Sequence, residues 1–159
     1  MRLVPVVAVA ATFVLGIQGL ARQDAGVPSR YGVPLNTRSY PQGTPKDALA
    51  SAIRAIEDRR INYLLSQLTE PAFVDRRVKE LYGGEFDELV RETTVKLANE
   101  PGTVKELGRF LKEGEWEAGE TNATVRLKDI KDRQVFLRKI GDRWFLENRQ
   151  KPEAPKSEG

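Results

Sequence analysis

Four carboxylates lie close together in residues 85–92, and they are the first candidates for chemistry. Glu85, Asp87, Glu88 and Glu92 could act in acid–base catalysis if two of them were buried side by side. Arg91 and Lys96, however, follow Asp87 and Glu92 by four residues each. Side chains at that spacing face each other on an exposed helix and form weak ion pairs. The pattern therefore favours a solvated helix face over a catalytic pair.

The candidate ligand contacts are basic or aromatic rather than acidic. Arg126, Lys128 and Arg138 lie near predicted strands, and on the outer face of a sheet they would form a strip that attracts an anion. The alternative is a solvated face. Tyr82 precedes Gly83-Gly84. If these glycines belong to a mobile lid, that lid would carry the Tyr82 hydroxyl. The sequence indicates no catalytic residue.

The residue types that are absent restrict the chemistry further. The chain has no His and no Cys, so the usual neutral general base, thiolate nucleophiles and zinc–thiolate sites are excluded. No dinucleotide-binding fingerprint, phosphate-binding loop or serine nucleophile elbow occurs. We therefore expect no cofactor and no metal. A net charge of +3 is too balanced to favour a nucleic-acid partner.

The N-terminal residues resemble an export signal. An apolar run from Leu3 to Ile17 follows Arg2, and Gly19 and Ala21 have the spacing that signal peptidase prefers. We predict a signal peptide over 1–21 and an exported protein, periplasmic or extracellular. The alternative is an uncleaved membrane anchor, which is the only way in which we expect the chain to meet a membrane. Residues 22–43 and 151–159 are predicted to be a disordered linker and tail.

Helical signals dominate the first part of the remaining segment, residues 44–150. Thr44 can cap a helix that starts with Pro45, and the apolar stripe changes phase between Glu57 and Arg60. Two helices are therefore predicted before Pro71. Further amphipathic helices are predicted before Gly83-Gly84, before Pro101-Gly102 and up to Gly114.

Strand signals replace the helical ones after Gly114. Ala123, Val125 and Leu127 alternate with polar residues, which predicts a strand with one buried face. "RQVFLRKI" and "RWFLENR" continue the meander, and "EWEAGE" is a plausible first strand. Trp144 follows the Gly141-Asp142 turn, and its alternation with Leu146 favours the core over a ligand contact. The predicted class is α+β, with N-terminal helices on one face of a curved antiparallel sheet of about four strands.

The opening "TPKDALASAIRAIEDRRINYLLSQL" and the ending "ATVRLKDIKDRQVFLRKIGDRWFLEN" resemble small secreted lumazine-binding-like domains of the NTF2-like (cystatin-like) superfamily. The resemblance spans about residues 44–150 and implies a cone-shaped fold with a pocket. Enzymes of that superfamily place Asp and His in the pocket. Because this chain has no His, no catalytic residue is carried over.

Two functions remain at this point. The favoured one is an exported, non-catalytic module that binds a small molecule or an exported protein through the pocket or the open sheet face. The alternative is a small enzyme that uses Asp, Glu or Tyr for acid–base chemistry. A homodimer through the sheet face is a further arrangement that the sequence allows.

Overall fold

A computed structural model describes residues 27–149. The predicted signal peptide, the first residues of the predicted linker and the predicted tail lie outside the described residues. The helices are α1 (Pro45–Glu57), α2 (Ile61–Tyr63), α3 (Pro71–Leu81), α4 (Phe86–Asn99) and α5 (Gly102–Glu113). The strands are β1 (Ser29–Arg30), β2 (Val33–Pro34), β3 (Glu115–Ala118), β4 (Asn122–Leu127), β5 (Ile130–Ile140) and β6 (Arg143–Glu147). No helix in this range is long and apolar enough to cross a membrane.

Helix α1 begins at the predicted cap, and glycines form the predicted turn after α3. The Thr44 hydroxyl oxygen accepts a hydrogen bond from the Asp47 N–H at 3.1 Å, which caps the N-terminus of α1. The chain then breaks at Arg59, whose φ of 56° lies in the left-handed region. Gly83 and Gly84, with φ of 59° and 97°, turn the chain between α3 and α4. Glycine adopts these angles without steric cost.

The segment after α2 departs from the predicted α-helix. Residues Leu64–Leu68 form a π-helical turn that continues α2. The hydroxyl of Thr69 donates to the Leu64 carbonyl oxygen at 2.9 Å and closes the turn. Every residue of the turn is buried, including the polar Ser66 and Gln67. The turn lies entirely inside the fold, so it lacks the solvent-facing stripe of an amphipathic surface helix.

The four C-terminal strands form one antiparallel sheet in the order β3-β4-β5-β6. Val125 pairs with Val135, and Ala123 pairs with Leu137. Ala123, Val125 and Leu137 are buried together with residues of α1 and α5. The predicted α+β class, with helices before a four-stranded sheet, is confirmed, as is the predicted first strand at β3.

Among residues 27–149, the buried apolar side chains form two cores. One lies among α2, α3, α4 and the π-helical turn, and Leu68 and Val74 are among its most buried members. The other lies between the sheet and helices α1 and α5, and it includes Trp144, which is 5% exposed. The burial predicted for Trp144 is therefore confirmed. Leu146 packs against both cores and joins them.

Residues 27–43 are folded, and here the predicted disordered linker needs correction. The two-residue turn Tyr31-Gly32 joins β1 to β2, and the Tyr31 ring stacks on Phe86 with centroids 4.2 Å apart. Tyr40 and Gln42 are only 4% and 2% exposed. The Pro- and Gly-rich composition is typical of a linker. It cannot reveal that side chains of this segment find partners in distant helices and strands.

Candidate functional site

A cavity of about 460 Å³ opens where the two cores meet. The π-helical turn, α3, α4 and α5 line one side, and the middle of β5 and the end of β6 line the other. Its floor is apolar and consists of Leu65, Phe73, Leu89, Leu107, Val135, Phe136 and Leu146. Helices that are packed against each other and also against a sheet leave a gap where their curvatures do not match. Here that gap is open to solvent, and we call it the cavity.

Charged and polar side chains surround the mouth of the cavity. They are Arg77, Glu92, Lys96, Glu147 and Arg149, together with Thr69, Thr93, Gln134 and Asn148. Apolar surface combined with polar groups that orient a ligand is the usual composition of small-molecule sites, and this cavity has both, with polar residues in the majority of its lining. The cavity is therefore the candidate functional site.

Helix α3 supplies a side chain to the floor and another to the mouth. Phe73 and Arg77 are one helical turn apart, so their side chains lie on the same face of α3. The Arg77 guanidinium carbon lies 5.7 Å from the centroid of the Phe73 ring. This cation–π contact holds the half-buried guanidinium at the boundary between the apolar floor and the mouth.

Tyr82 contributes to the mouth through a partner. Its hydroxyl donates a hydrogen bond to the Glu92 carboxylate. This bond, and secondarily burial, raises the pKa of the Tyr82 hydroxyl above its ordinary value of 10. Tyr82 is not itself a lining residue of the cavity, but Glu92 is. The bond links the loop after α3 to α4.

An ion-pair chain lies beside the cavity at the end of the sheet. Arg138 contacts Glu70 at 3.2 Å and Glu147 at 3.3 Å, and Glu147 is also 3.2 Å from the Nε atom of Arg149. The Glu147 side chain is only 9% exposed. The Arg149 guanidinium lies over the Phe136 ring, 4.3 Å from its centroid. Arg138 is thus engaged by two carboxylates beside the cavity.

The other two cationic candidates do not line the cavity and have acidic neighbours. The Arg126 Nε donates to the Gln134 side-chain oxygen at 2.9 Å, and its Nη1 lies 3.9 Å from Glu117. Lys128 lies in the turn after β4, 3.2 Å from Glu115. The structure therefore does not bring Arg126, Lys128, Arg138 and Tyr82 together into one site.

The acidic segment 85–92 forms contacts other than the predicted pairs. Arg91 pairs with Glu88, three residues away, rather than with Asp87. Glu92 accepts from Tyr82 rather than pairing with Lys96. Over residues 27–149, no group of three acidic side chains is placed to hold a metal ion.

A second polar cluster, which the sequence did not indicate, lies at the N-terminal end of β6. The Arg143 Nη1 donates to the side-chain oxygens of Gln42 and Gln67 at 3.3 and 3.2 Å. Burial lowers the pKa of the Arg143 guanidinium. The Tyr63 hydroxyl accepts from the Asn36 N–H at 2.9 Å. These bonds attach residues 27–43 to the rest of the fold, so the cluster is structural.

The cavity residues Phe73, Arg77 and Lys96 were also missed by sequence reasoning. The spacing of Phe73 and Arg77 was a local signal for a shared helix face, but nothing in it indicated which face borders a cavity. Comparison of the chain with family models, curated proteins and solved structures finds no match. The NTF2-like resemblance therefore stays a prediction.

Proposed function

We propose that this protein is an exported, non-catalytic module that binds a small molecule in the cavity. The observation that carries the proposal is a volume of about 460 Å³ with an apolar floor and a charged mouth. Cavities of about 300–1,000 Å³ are typical of small-molecule sites. The proposal of export rests on the signal-like residues 1–21. The proposal of an NTF2-like cone rests on the order of the elements, in which helices precede a Trp-containing hairpin.

The polar groups at the mouth support binding over catalysis. Glu92 accepts a hydrogen bond from Tyr82, and Glu147 is held by Arg138 and Arg149. Both carboxylates are therefore already engaged by contacts within the fold. The Tyr82 hydroxyl is likewise engaged, because it donates its proton to the Glu92 carboxylate.

The alternative enzyme rests on the same Tyr82–Glu92 pair, because a hydroxyl bonded to a carboxylate can relay a proton. Turnover of any substrate that is lost in Glu92→Gln, while the fold is retained, would favour the enzyme. A protein partner on the outer sheet face, including a second copy, is the remaining alternative. Sedimentation of the mature chain would show a second copy directly.

A matched pair of variants on α4 tests the cavity. Thr93 lines the cavity, whereas the neighbouring Thr94 is exposed and is not among the lining residues. The neutral fluorophore N-phenylnaphthylamine should bind the wild-type protein with saturable fluorescence enhancement. Thr93→Trp should weaken this binding at least about tenfold by filling the cavity, a cost of about 1.4 kcal/mol.

Thr94→Trp is the control, since it adds the same bulk one residue away. It should bind the fluorophore as the wild-type protein does. Absence of saturable binding to the wild-type protein, or equal effects of the two variants, would contradict a ligand site in the cavity. If Thr93→Trp blocks binding and Thr94→Trp does not, mass spectrometry of compounds that copurify with the mature chain can identify the natural ligand.

A further inference from the structure

We propose that the ligand of the cavity is an amphipathic anion, with an apolar body on the floor and one acidic group held by Arg77 and Lys96. The inference rests on the proposed function and specifies its ligand class. Carboxylates, sulfate monoesters and phosphate diesters share the required chemistry, since each carries one negative charge at neutral pH.

The charges at the mouth indicate the sign of the ligand. Arg77, Lys96 and Arg149 supply three cations, and Glu92 and Glu147 supply two carboxylates, so the mouth carries a net charge of 3 − 2 = +1. Arg149 is already within 3.2 Å of Glu147. Arg77 and Lys96 form no ion pair with any carboxylate among residues 27–149. Arg77 lies near the Tyr82 hydroxyl, which is neutral, so the positive charges of both Arg77 and Lys96 are left for a ligand.

The position of Arg77 favours an acidic group on an apolar body over a free inorganic anion. Its guanidinium lies over the Phe73 ring, so it is half-buried at the edge of the apolar floor. A guanidinium is more weakly hydrated than an ammonium group and binds planar or tetrahedral oxyanions through two parallel hydrogen bonds. A ligand that fills the floor brings its acidic group to this position.

The two carboxylates limit how much negative charge the ligand can carry. Glu92 and Glu147 also border the mouth, and each would repel an anion that extends towards it. A ligand with a single acidic group matches the net charge of the mouth. A polyphosphate would instead be repelled by both carboxylates. The structure thus favours monoanions.

Two fluorophores that differ by one acidic group test the inference. Anilinonaphthalene sulfonate carries the ring system of N-phenylnaphthylamine plus a sulfonate. We expect the wild-type protein to bind the sulfonate about tenfold more tightly than the neutral compound. Added salt should weaken sulfonate binding and leave the neutral compound nearly unaffected, because ionic screening acts only on the charged ligand.

Variants at the mouth assign the charge effect to named side chains. Arg77→Gln should weaken sulfonate binding about tenfold and change binding of the neutral compound less than about twofold. Arg76→Gln is the control, because Arg76 is exposed on the same helix and does not line the cavity. Lys96→Gln, with Lys79→Gln as its control, should show the same selectivity with a smaller effect. Arg77→Lys should restore part of the sulfonate affinity.

Displacement of the neutral fluorophore distinguishes the acidic groups. Decanoate and decyl sulfate should displace it at lower concentrations than decanol, which has the same chain and no charge. Which acid displaces better identifies the preferred group.

The outcomes separate this inference from the proposed function. If the neutral fluorophore binds and Thr93→Trp blocks it, the cavity is a ligand site. Equal affinity of the two fluorophores, or equal loss in Arg77→Gln and Arg76→Gln, would then overturn only the anion preference. Failure of both fluorophores to bind would overturn both proposals.

Discussion

Gln42 and Trp144, which are 102 residues apart, are joined by two hydrogen bonds. The side-chain amide of Gln42 donates to the Trp144 carbonyl oxygen at 2.8 Å, and the Trp144 N–H donates to the Gln42 carbonyl oxygen at 2.9 Å. The same side-chain amide donates to the Gln67 carbonyl oxygen at 3.0 Å. A single buried glutamine therefore connects the N-terminal segment, the π-helical turn and the last strand.

Gln42→Ala should lower the free energy of unfolding by about 1–3 kcal/mol, because it leaves buried carbonyl oxygens without donors. Urea unfolding, followed by tryptophan fluorescence, measures the change. Gln134→Ala, at an exposed glutamine, is the control and should stay within about 0.5 kcal/mol of the wild-type protein. A loss at Gln42 no larger than at Gln134 would show that these hydrogen bonds do not hold the N-terminal segment.

Trp144→Ala should destabilise the fold by about 3–5 kcal/mol, because it opens a cavity in the core between the sheet and helices α1 and α5. Trp144→Phe should cost less, since the smaller ring still fills part of the space. Both values are measured by urea unfolding. A loss below about 1 kcal/mol in the alanine variant would be inconsistent with the burial of this ring.

The stability of the fold should decrease at alkaline pH. The pKa values of Tyr31, Tyr40 and Tyr63 are raised above the ordinary value of 10, first by burial. A raised folded-state pKa means that the folded protein keeps protons that the unfolded chain releases. The contribution to stability is therefore fully present below pH 10 and is lost as the pH rises towards the folded-state values.

Urea midpoints measured from about pH 9 to about pH 11 test this prediction. Tyr40→Phe should reduce the alkaline loss, because the Tyr40 hydroxyl donates to Asp58 at 2.9 Å and its ionisation breaks that bond. An unchanged midpoint across this range in the wild-type protein would disprove the expected linkage.

Exported protein should begin at Arg22, because Gly19 and Ala21 have the spacing of a signal-peptidase site. The intact mass of protein recovered from the medium or the periplasm determines the N-terminus. Recovery of a chain that begins at Met1 from the membrane fraction would instead support the uncleaved anchor.

Local patterns in the sequence determined the order and type of the main elements. Thr44 and Pro45 mark the start of α1, and the alternation of Ala123, Val125 and Leu127 marks the buried face of β4. The same alternation placed Trp144 in the core. These features depend on neighbours within one turn or one strand, so a single sequence carries them.

Tertiary structure alone decided the rest. The folded conformation of residues 27–43 depends on Gln42, whose hydrogen-bond partners lie 25 and 102 residues away. The sequence left open whether Arg138 binds an anion or faces solvent. In the structure Arg138 donates to Glu70, which is 68 residues away in the chain. The cavity arises from the fit of four helical segments against two strands, and its charge depends on which cations that packing leaves unpaired. Local periodicity predicts which face of an element is buried, but the partner that buries it, and the gaps between partners, are set only when distant elements pack together.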